Sequence, residues 1–243
     1  MTAALIIPAL NEEAVLGATL AAIPPGVVTT IIVADNGSTD ATAEIARAHG
    51  AMVTHEPTRG YGATCLKAIS ALPEHIDTII FMQADFSEDP SQIGELLTPL
   101  LEGRADLVLG SRALGQTEPG ALLPHQVFGN WLSTTLIRLL YGYRYSDLGP
   151  FRAIRRDALE RLDMQDRNYG WTIEMQVRAI EEELRVVEVP VTYRQRLAGE
   201  NKISGNFKAS LHAGVKIVLT IGKLWLRRRT ASRPEIRSSF SHQ

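Results

Sequence analysis

The chain has 243 residues, of which 45% are hydrophobic and 21% are charged, and its formal net charge at pH 7 is -2. This is a globular composition, long enough for one large domain or two small ones, and the near-neutral charge gives no reason to expect a nucleic-acid partner. The single cysteine, Cys65, excludes a disulfide within the chain. We find no signal peptide and no apolar run of about 18 residues that could span a bilayer, so we expect a cytoplasmic protein.

The first half of the chain alternates short apolar runs with segments of helical spacing. The apolar runs predict five buried strands, at residues 4–8, 30–34, 52–54, 79–82 and 106–110. The segments between them predict helices at 15–23, 41–49, 63–72 and 93–101, and Asn11 is expected to cap the first of these. Strands alternating with helices are typical of βαβ units. We therefore predict an α/β fold with a mainly parallel central sheet flanked by helices.

The pattern changes from residue 113 onward. Residues 116–124 read as a loop, 127–141 and 171–183 as helices, and 185–193 as a strand rich in valine. A polar, turn-forming segment at 146–152 leads into a short strand, and residues 194–205 form a loop with basic residues and glycines. Since no linker or repeat separates the two halves, we predict one domain over residues 1–229 and a disordered tail at 230–243.

Four of the predicted strands end in polar residues. These ends are Asn11-Glu12, Asp35-Asn36, Gln83-Ala84-Asp85 and Ser111-Arg112. The carboxyl ends of parallel strands meet at one edge of a sheet, which is where open α/β sheets bind ligands. A carboxylate such as Asp85 could hold Mg²⁺ or Mn²⁺ there, and the cation could neutralise a phosphate. The alternative is that Asp85 or Asp89 only caps the helix that follows Pro90.

Seven segments carry a resemblance to a known family. In the first half they are residues 7–12 (IPALNE), 33–40 (VADNGSTD), 83–85 (QAD) and 110–112 (GSR). In the second half they are residues 147–154 (DLGPFRAI), 170–175 (GWTIEM) and 199–205 (GENKISG). The first set resembles family 2 glycosyltransferases of GT-A (nucleotide-diphospho-sugar transferase) fold. The second set resembles the branch of dolichyl- and polyprenyl-phosphate mannose and glucose synthases.

The resemblance implies a nucleotide-sugar donor (a UDP- or GDP-hexose), a divalent cation (Mg²⁺ or Mn²⁺) and inversion at the anomeric carbon. It assigns residues 1–112 to nucleotide binding and 113–205 to the acceptor. By resemblance the metal ligands are Asp85 and Gln83, and the catalytic candidates are Asp85, Arg112, Asp147 and Glu174. The implied nucleotide-sugar contacts are Pro8, Asn11, Glu12, Asp35, Gly62, Gln83, Ala84, Arg196 and Lys202.

The chain departs from the family pattern at three positions. Gln83 stands where the family usually has the first aspartate of Asp-x-Asp, and its amide oxygen can coordinate a cation but brings no charge. Asn36 replaces a common second aspartate, and Asn201 replaces a common serine. The transmembrane helices that some members carry after the catalytic domain are not found in this sequence.

Several candidate residues also have ordinary structural explanations. Asp40 is placed to cap the helix at 41–49, whereas Asp35 ends a buried strand and is interpreted as a ligand residue. The loop 59–62 suggests a dinucleotide fingerprint, but the third glycine of that motif falls on Cys65. Trp171 fits a core position as well as a sugar platform. Glu174 fits a solvated helix position as well as a contact with the acceptor or a catalytic base.

Residues 206–229 predict an amphipathic basic helix. Its basic face carries Lys208, His212, Lys216, Lys223 and Arg227, followed by Arg228 and Arg229. One interpretation is a helix packed on the domain with a solvated basic face. The other is peripheral contact with the inner surface of a membrane, close to a lipid-phosphate acceptor.

The leading functional hypothesis is an inverting hexosyltransferase that uses a nucleotide sugar and a polyprenyl phosphate. An ionised phosphate acceptor needs no strong base, whereas a soluble hydroxyl acceptor would need a carboxylate, for which Glu174 or Asp147 is the candidate. A nucleotidyltransferase is disfavoured because residues 8–12 lack a glycine-rich basic loop. A non-catalytic nucleotide-sugar binding module is the remaining alternative, supported by Gln83 alone.

Overall fold

The computed structural model describes residues 1–198 and 219–226. Its strands are β1 (Ala3–Ala9), β2 (Thr30–Asp35), β3 (Met52–His55), β4 (Thr78–Phe81), β5 (Leu107–Thr117), β6 (Arg152–Arg155) and β7 (Val186–Tyr193). Its helices are α1 (Leu16–Ala21), α2 (Thr42–Ala48), α3 (Tyr61–Ile69), α4 (Ile93–Leu101), α5 (Pro124–Tyr141), α6 (Arg156–Leu162) and α7 (Trp171–Glu181). A single 3-10 turn at Pro90–Gln92 precedes α4, and residues 219–226 are helical.

All of these strands belong to one sheet, in the order β3-β2-β1-β4-β6-β5-β7. Strand β6 runs antiparallel to both of its neighbours, β4 and β5, and the other pairings are parallel. The prediction of an α/β fold with a mainly parallel sheet is therefore confirmed. Because β1, β2, β4, β5 and β7 run in the same direction, their carboxyl ends share one edge of the sheet.

The sheet is covered by helices on both faces. Alternate strand residues point to opposite faces, so Ile6 and Ile32 join the core beneath α3, α5, α6 and α7. Leu5 and Val33 join the second core, beneath α1, α2 and α4. This double burial explains why the strands are continuous apolar runs instead of alternating polar and apolar residues.

Strand β5 continues well past the position predicted from the sequence. We expected it to end at Ser111-Arg112 and a loop to begin at residue 116, but residues 111–117 also belong to the strand. The side chains of this extension are largely exposed. Its pairing with β7 resumes after a shift of register between Ser111 and Gln116. Backbone hydrogen bonds to β7 hold this extension in the sheet, and such bonds leave no hydrophobic periodicity in the sequence.

Asn11 does not cap the first helix. Helix α1 begins at Leu16 with Val15 at its cap position, and Asn11 lies in the left-handed region with φ of 50°. Asparagine tolerates this conformation because its short polar side chain can bond locally. Here the Asn11 Oδ1 accepts a hydrogen bond from the Thr39 N–H at 2.8 Å, which ties the loop after β1 to the loop after β2.

The predicted basic helix is described only at residues 219–226. Ile221 and Leu224 of this segment are buried in the core beneath α5, whereas Lys223 is exposed. The other basic residues of the prediction lie outside the described residues, as does the predicted tail at 230–243. In the part of the chain that the structure covers, we find no helix with the length and hydrophobicity needed to cross a bilayer.

Candidate active site

A crevice of about 430 Å³ opens at the carboxyl edge of the sheet. It lies where β1, β2, β4 and β7 end, as the strand-end pattern predicts. Its lining residues are Pro8, Ala9, Leu10, Glu12, Asn36, Arg59, Gly60, Tyr61, Thr64, Gln83, Ala84, Asp85, Gln126, Tyr169, Tyr193 and Arg196. Six of the sequence-predicted contacts are thus brought together, namely Pro8, Glu12, Gln83, Ala84, Asp85 and Arg196.

Asp85 presents one carboxylate oxygen to the crevice and keeps the other in its own loop. Its Oδ1 accepts hydrogen bonds from the Ser87 N–H at 3.1 Å and the Ser87 hydroxyl at 2.5 Å. The same hydroxyl lies 3.3 Å from the Gln83 Oε1. The second carboxylate oxygen of Asp85, Oδ2, faces the Arg196 guanidinium and lies 3.3 Å from its Nη1. Ser87 therefore orders both of the predicted metal-binding side chains.

Arg196 connects the two acidic side chains of the crevice. Its Nη2 pairs with the Glu12 carboxylate, its Nη1 with Asp85, and its Nε donates to the Ala198 carbonyl. All three charged side chains are mostly buried, with exposed fractions of 9% for Glu12, 17% for Asp85 and 16% for Arg196. A positive charge is therefore already accommodated at the Asp85 oxygen that faces the crevice.

The residues at this edge fit a divalent cation that takes part of its coordination from a bound phosphate. Among the described residues no group of three His, Cys, Asp or Glu side chains could hold a metal alone. Mg²⁺ in particular is commonly held by one or two carboxylates, with substrate phosphates and water completing its coordination. Asp85 could supply the carboxylate, and Gln83 could add an amide oxygen.

Glu88 is a buried acid in the loop after β4 that was not selected as a site residue from the sequence. Its Oε2 accepts the Gln83 N–H at 2.6 Å, and its Oε1 has no hydrogen-bond partner in the described part of the chain. Burial, together with the nearby negative charge of Asp85, raises the pKa of Glu88 to about 8. Glu88 thus fixes the backbone of Gln83 from the side opposite the crevice.

The loop after β2 contributes Asn36 to the lining of the crevice. The Asn36 amide donates to the carbonyls of Glu56 and Thr58, and its oxygen accepts the Gly60 N–H at 3.0 Å. An aspartate, which cannot donate while ionised, could not replace these two donated bonds. The asparagine that departs from the family pattern therefore clamps the loop leading to Gly60.

Asp35 lies close to the crevice but is not among its lining residues. Its Oδ1 accepts the Ser38 N–H at 3.0 Å, and its Oδ2 lies 3.1 Å from the His55 Nδ1. Burial acts to raise the pKa of Asp35, but the hydrogen bonds from Ser38 and the contact with His55 outweigh it and hold the pKa below its usual value. Asn11 also lies outside the lining residues. A contact between Asp35 or Asn11 and the nucleoside stays a prediction.

Arg112 and Asp147 are paired with each other behind the crevice. The Arg112 Nε and Nη2 each donate to the Asp147 carboxylate at 2.8 Å, and the Arg112 guanidinium lies 5.1 Å from the centre of the Tyr193 ring. Both side chains are almost completely buried, and neither lines the crevice. Asp147 is thus paired with a guanidinium in this structure, and its role as a base toward a hydroxyl acceptor stays a prediction.

Glu174 holds a loop in place. Its carboxylate accepts the N–H groups of Gln165 and Asp166 and pairs with the Arg178 guanidinium at 2.9 Å. It is buried and does not line the crevice. Three partners use its oxygens in this structure, and a role of Glu174 toward the acceptor stays a prediction. Trp171, one turn earlier, is a core residue in edge-on contact with Phe81.

Gly62 has a packing role in the described structure. A Cβ at this position would overlap the carbonyl oxygen of Asp166, so the absence of a side chain lets α3 pack against that loop. Gly62 is buried and is not among the lining residues, although its neighbours Gly60 and Tyr61 are, and a direct nucleotide contact of Gly62 stays a prediction. Lys202 lies outside the described residues.

Three tyrosines on the wall of the crevice were not selected from the sequence. Tyr61 begins α3, Tyr193 ends β7 and Tyr169 precedes α7, so distant parts of the chain bring them together. Only Tyr193 carried a signal that could have identified it, since it lies at the carboxyl end of a strand.

A family model described as glycosyl transferase family 2 matches residues 4–163 of the chain. The chain belongs to glycosyl transferase family 2. This glycosyltransferase is 39% identical over 210 residues to an uncharacterized glycosyltransferase of Mycobacterium tuberculosis. The aligned residues cover 86% of this chain and 92% of the relative. It is 31% identical over 216 residues to an undecaprenyl-phosphate mannosyltransferase of Micrococcus luteus, which covers 82% of this chain and 86% of the relative.

Solved structures are similar to this glycosyltransferase in fold. A glucosyl-3-phosphoglycerate synthase from Mycobacterium tuberculosis, solved with Mn²⁺, UDP-glucose and phosphoglyceric acid, superposes with a TM-score of 0.74 at 24% identity. The match covers 92% of this chain and 79% of that one. The predictions of the GT-A fold, of family 2 membership and of the branch resemblance are confirmed.

Proposed function

We propose that this glycosyltransferase moves a hexose from a nucleotide-diphosphate sugar to a polyprenyl phosphate, with inversion at the anomeric carbon. The observation that carries the proposal is the position of the crevice relative to helix α5. Asp85 and Arg196 form the charged floor of the crevice, and Gln126 of α5 lines its wall. Helix α5, which supplies Gln126 to the crevice, also carries a group of exposed apolar side chains that begins at the next residue, Val127.

This surface, the apolar stripe of α5, consists of Val127, Phe128, Trp131 and Leu139. All four side chains are more than half exposed, and their spacing places them on one side of the helix. Phe128 and Trp131 are in contact, with ring centres 5.7 Å apart. Exposed apolar residues in a continuous group are typical of membrane or ligand contacts, and a polyprenyl chain has the matching chemistry. The lipid would place its phosphate in the crevice and its hydrocarbon along the stripe.

The charged floor suits the donor and the departure of its diphosphate. Breaking the sugar–phosphate bond builds negative charge on the leaving group, which Arg196 is positioned to pair with. A divalent cation held by Asp85 and Gln83 would neutralise part of the same charge. A phosphate acceptor arrives ionised, so the engagement of Asp147 and Glu174 by their own partners is no obstacle to the transfer. Attack from the face opposite the leaving group inverts the anomeric carbon.

Two relatives support the choice of acceptor by what their names state. One is the undecaprenyl-phosphate mannosyltransferase, and another is a polyprenol monophosphomannose synthase of Mycolicibacterium smegmatis. The second is 31% identical over 200 residues. A second candidate is transfer to a small soluble phosphate ester, favoured by the structural neighbour that was solved with phosphoglyceric acid.

The donor and acceptor are tested together in one panel. UDP- and GDP-hexoses are incubated with Mn²⁺ or Mg²⁺ and either a polyprenyl phosphate in detergent, phosphoglyceric acid, or a simple sugar hydroxyl. We expect a glycolipid whose new linkage has the anomeric configuration opposite to that of the donor, measured by NMR. Product on phosphoglyceric acid alone would select the second candidate. Donor binding without any product would instead indicate a non-catalytic module.

Asp85→Asn tests the charged floor with the shape of the side chain preserved. We expect turnover to fall on the order of 10²-fold or more, because charge stabilisation of the leaving diphosphate is lost. The matched control is Asp89→Asn in the same loop. Asp89 does not line the crevice; it caps the 3-10 turn through Ser91 and pairs with Arg194. Asparagine can replace the cap, so Asp89→Asn loses mainly this ion pair and should preserve turnover. Unchanged turnover in Asp85→Asn would exclude it from the site.

A further inference from the structure

The crevice contains a positively charged side chain, that of Arg196. The guanidinium of Arg196 lies between the Glu12 and Asp85 carboxylates, and it contacts the Asp85 oxygen that faces the crevice. The other Asp85 oxygen is occupied by Ser87. A divalent cation binding to Asp85 would therefore need the oxygen that Arg196 now contacts.

A guanidinium and a divalent cation cannot share that oxygen at low cost. Two positive centres within a few ångströms repel, and the repulsion is stronger in a mostly buried crevice than in water. Among the described lining residues, the carboxylates of Glu12 and Asp85 are balanced by the guanidinium groups of Arg59 and Arg196, which leaves no net negative charge for an added dication. The diphosphate of a nucleotide sugar brings the missing negative charge, and its oxygens can accept a guanidinium in two parallel hydrogen bonds.

We propose that Arg196 is an internal counter-cation of the crevice, which must leave Asp85 before a divalent cation can bind and which moves onto the donor diphosphate. The proposal rests on the proposed function for the nature of the donor. It makes the cation and the donor bind cooperatively: each favours the arrangement in which Arg196 has released Asp85. By linkage, the donor strengthens cation binding by the same factor as the cation strengthens donor binding.

The backbone around Arg196 is held in place, so the exchange requires only a side-chain movement. On one side, the Arg194 N–H donates to the Ser87 carbonyl at 2.8 Å. On the other side, the Leu197 N–H donates to the Asp85 carbonyl at 3.3 Å. The loop after β7 is thereby fixed to the loop that carries Asp85. The guanidinium can turn from the carboxylates toward the crevice without moving either loop.

The test measures Mn²⁺ binding to the free protein, by the electron paramagnetic resonance signal of unbound Mn²⁺, without any turnover. Arg196→Gln and Arg196→Met remove the competing charge. If Arg196 occupies Asp85 in about nine of ten ligand-free molecules, its removal should tighten the apparent Mn²⁺ affinity about tenfold. Adding UDP should tighten Mn²⁺ binding strongly in the wild type and much less in both variants.

Arg194→Gln is the matched control. Arg194 lies two residues away and pairs with Asp89 at 2.5 Å, outside the crevice, so its loss should leave Mn²⁺ affinity unchanged. Circular dichroism and thermal unfolding establish that each variant is folded, and the two Arg196 replacements guard against one of them being unstable. Unchanged or weaker Mn²⁺ binding in the folded Arg196 variants would overturn the proposal. Because the readout is metal binding, that result is separable from a failure to transfer hexose.

Discussion

The buried pair of Arg112 and Asp147 is the strongest electrostatic contact behind the crevice. Two hydrogen bonds join the side chains, and the Arg112 backbone N–H donates a third to the same carboxylate at 2.8 Å. Burial acts to raise the pKa of Asp147, but the hydrogen bonds and charge of Arg112 outweigh it, and the pKa lies below its usual value. The pair supports the wall of the crevice through the Tyr193 ring, on which Arg112 is stacked.

Breaking this pair should destabilise the protein. We expect Arg112→Met to lower the free energy of unfolding by about 3–5 kcal/mol, since it leaves an uncompensated buried carboxylate. Because the folded-state pKa of Asp147 is depressed, its contribution is present above the unfolded-state pKa and is lost as the pH falls through the folded-state value. Urea unfolding at pH 7 and at successively more acidic pH values measures both effects.

The double variant Arg112→Met/Asp147→Asn provides the control. It removes both charges, so its stability should recover part of the loss seen in Arg112→Met and should depend less on pH in the acid range. If the double variant is less stable than the single one by the full effect of Asp147→Asn alone, the two side chains do not interact energetically.

At the scale of elements, helix α3 and the loop before α7 are fitted to each other by glycines. A Cβ at Gly60 or Gly62 would overlap a backbone carbonyl of that loop, at Arg167 and Asp166 respectively. The loop is fixed from its other side by Glu174, which accepts two of its N–H groups. The loop carries Tyr169 into the crevice, so this packing positions part of the wall.

Gly62→Ala should separate α3 from the loop. We expect a loss of stability of about 1–3 kcal/mol, the usual cost of overpacking, because the neighbouring atom is backbone and cannot rotate away. Gly94→Ala in α4 is the control, since no described atom lies within 4 Å of the added Cβ and alanine favours helices over glycine by about 1 kcal/mol. Thermal unfolding should show opposite shifts in the two variants, and equal shifts would contradict the packing argument.

Elements that are buried on both faces could be predicted from the sequence, and elements held by backbone contacts could not. The apolar runs identify β1, β2, β4 and β7, and helix α4 is predicted with its observed bounds. The extension of β5 escapes prediction because its side chains are exposed and only its pairing with β7 defines it. The sequence also could not reveal that Asn11 does not cap α1, because its side chain bonds instead to Thr39, 28 residues further along the chain.

The same distinction applies to the candidate site. The strand-end pattern finds Glu12 and Asp85, because position along a parallel strand fixes where a residue emerges. It does not find Glu88, whose importance comes from complete burial, or Tyr169, which a loop brings in. The residue types of Asp147 and Glu174 suggest a base, but only coordinates reveal the arginines that pair with them.

At the scale of the whole molecule, helix α5 both lines the crevice through Gln126 and carries the apolar stripe. We predict that Phe128→Ser/Trp131→Ser weakens sedimentation with anionic vesicles that contain a polyprenyl phosphate. Each side chain offers apolar area whose burial stabilises by about 25 cal/mol per Å². Catalysis on a short-chain, water-soluble phosphate acceptor should be affected much less than catalysis on the long-chain lipid.

Leu101→Ser is the matched control for this surface. Leu101 is also highly exposed, but it ends α4, whose buried side chains pack against the opposite face of the sheet. Its replacement should leave vesicle binding unchanged. Equal binding of the wild type, the control and the double variant would mean that the stripe does not contact lipid.

The position of β6 has a consequence for how this chain is made. Strands β4 and β5 both precede β6 in the sequence, yet β6 lies between them in the sheet and pairs with each. A ribosome therefore releases β4 and β5 before the strand that joins them exists. Until residues 152–155 emerge, one edge of β4 and both edges of β5 are unpaired, and the second edge of β5 stays unpaired until β7 follows. Unpaired edges are the surfaces on which strands from different molecules associate. Strand β6 thus fills a gap inside the sheet, and β7 afterwards pairs with the remaining edge of β5.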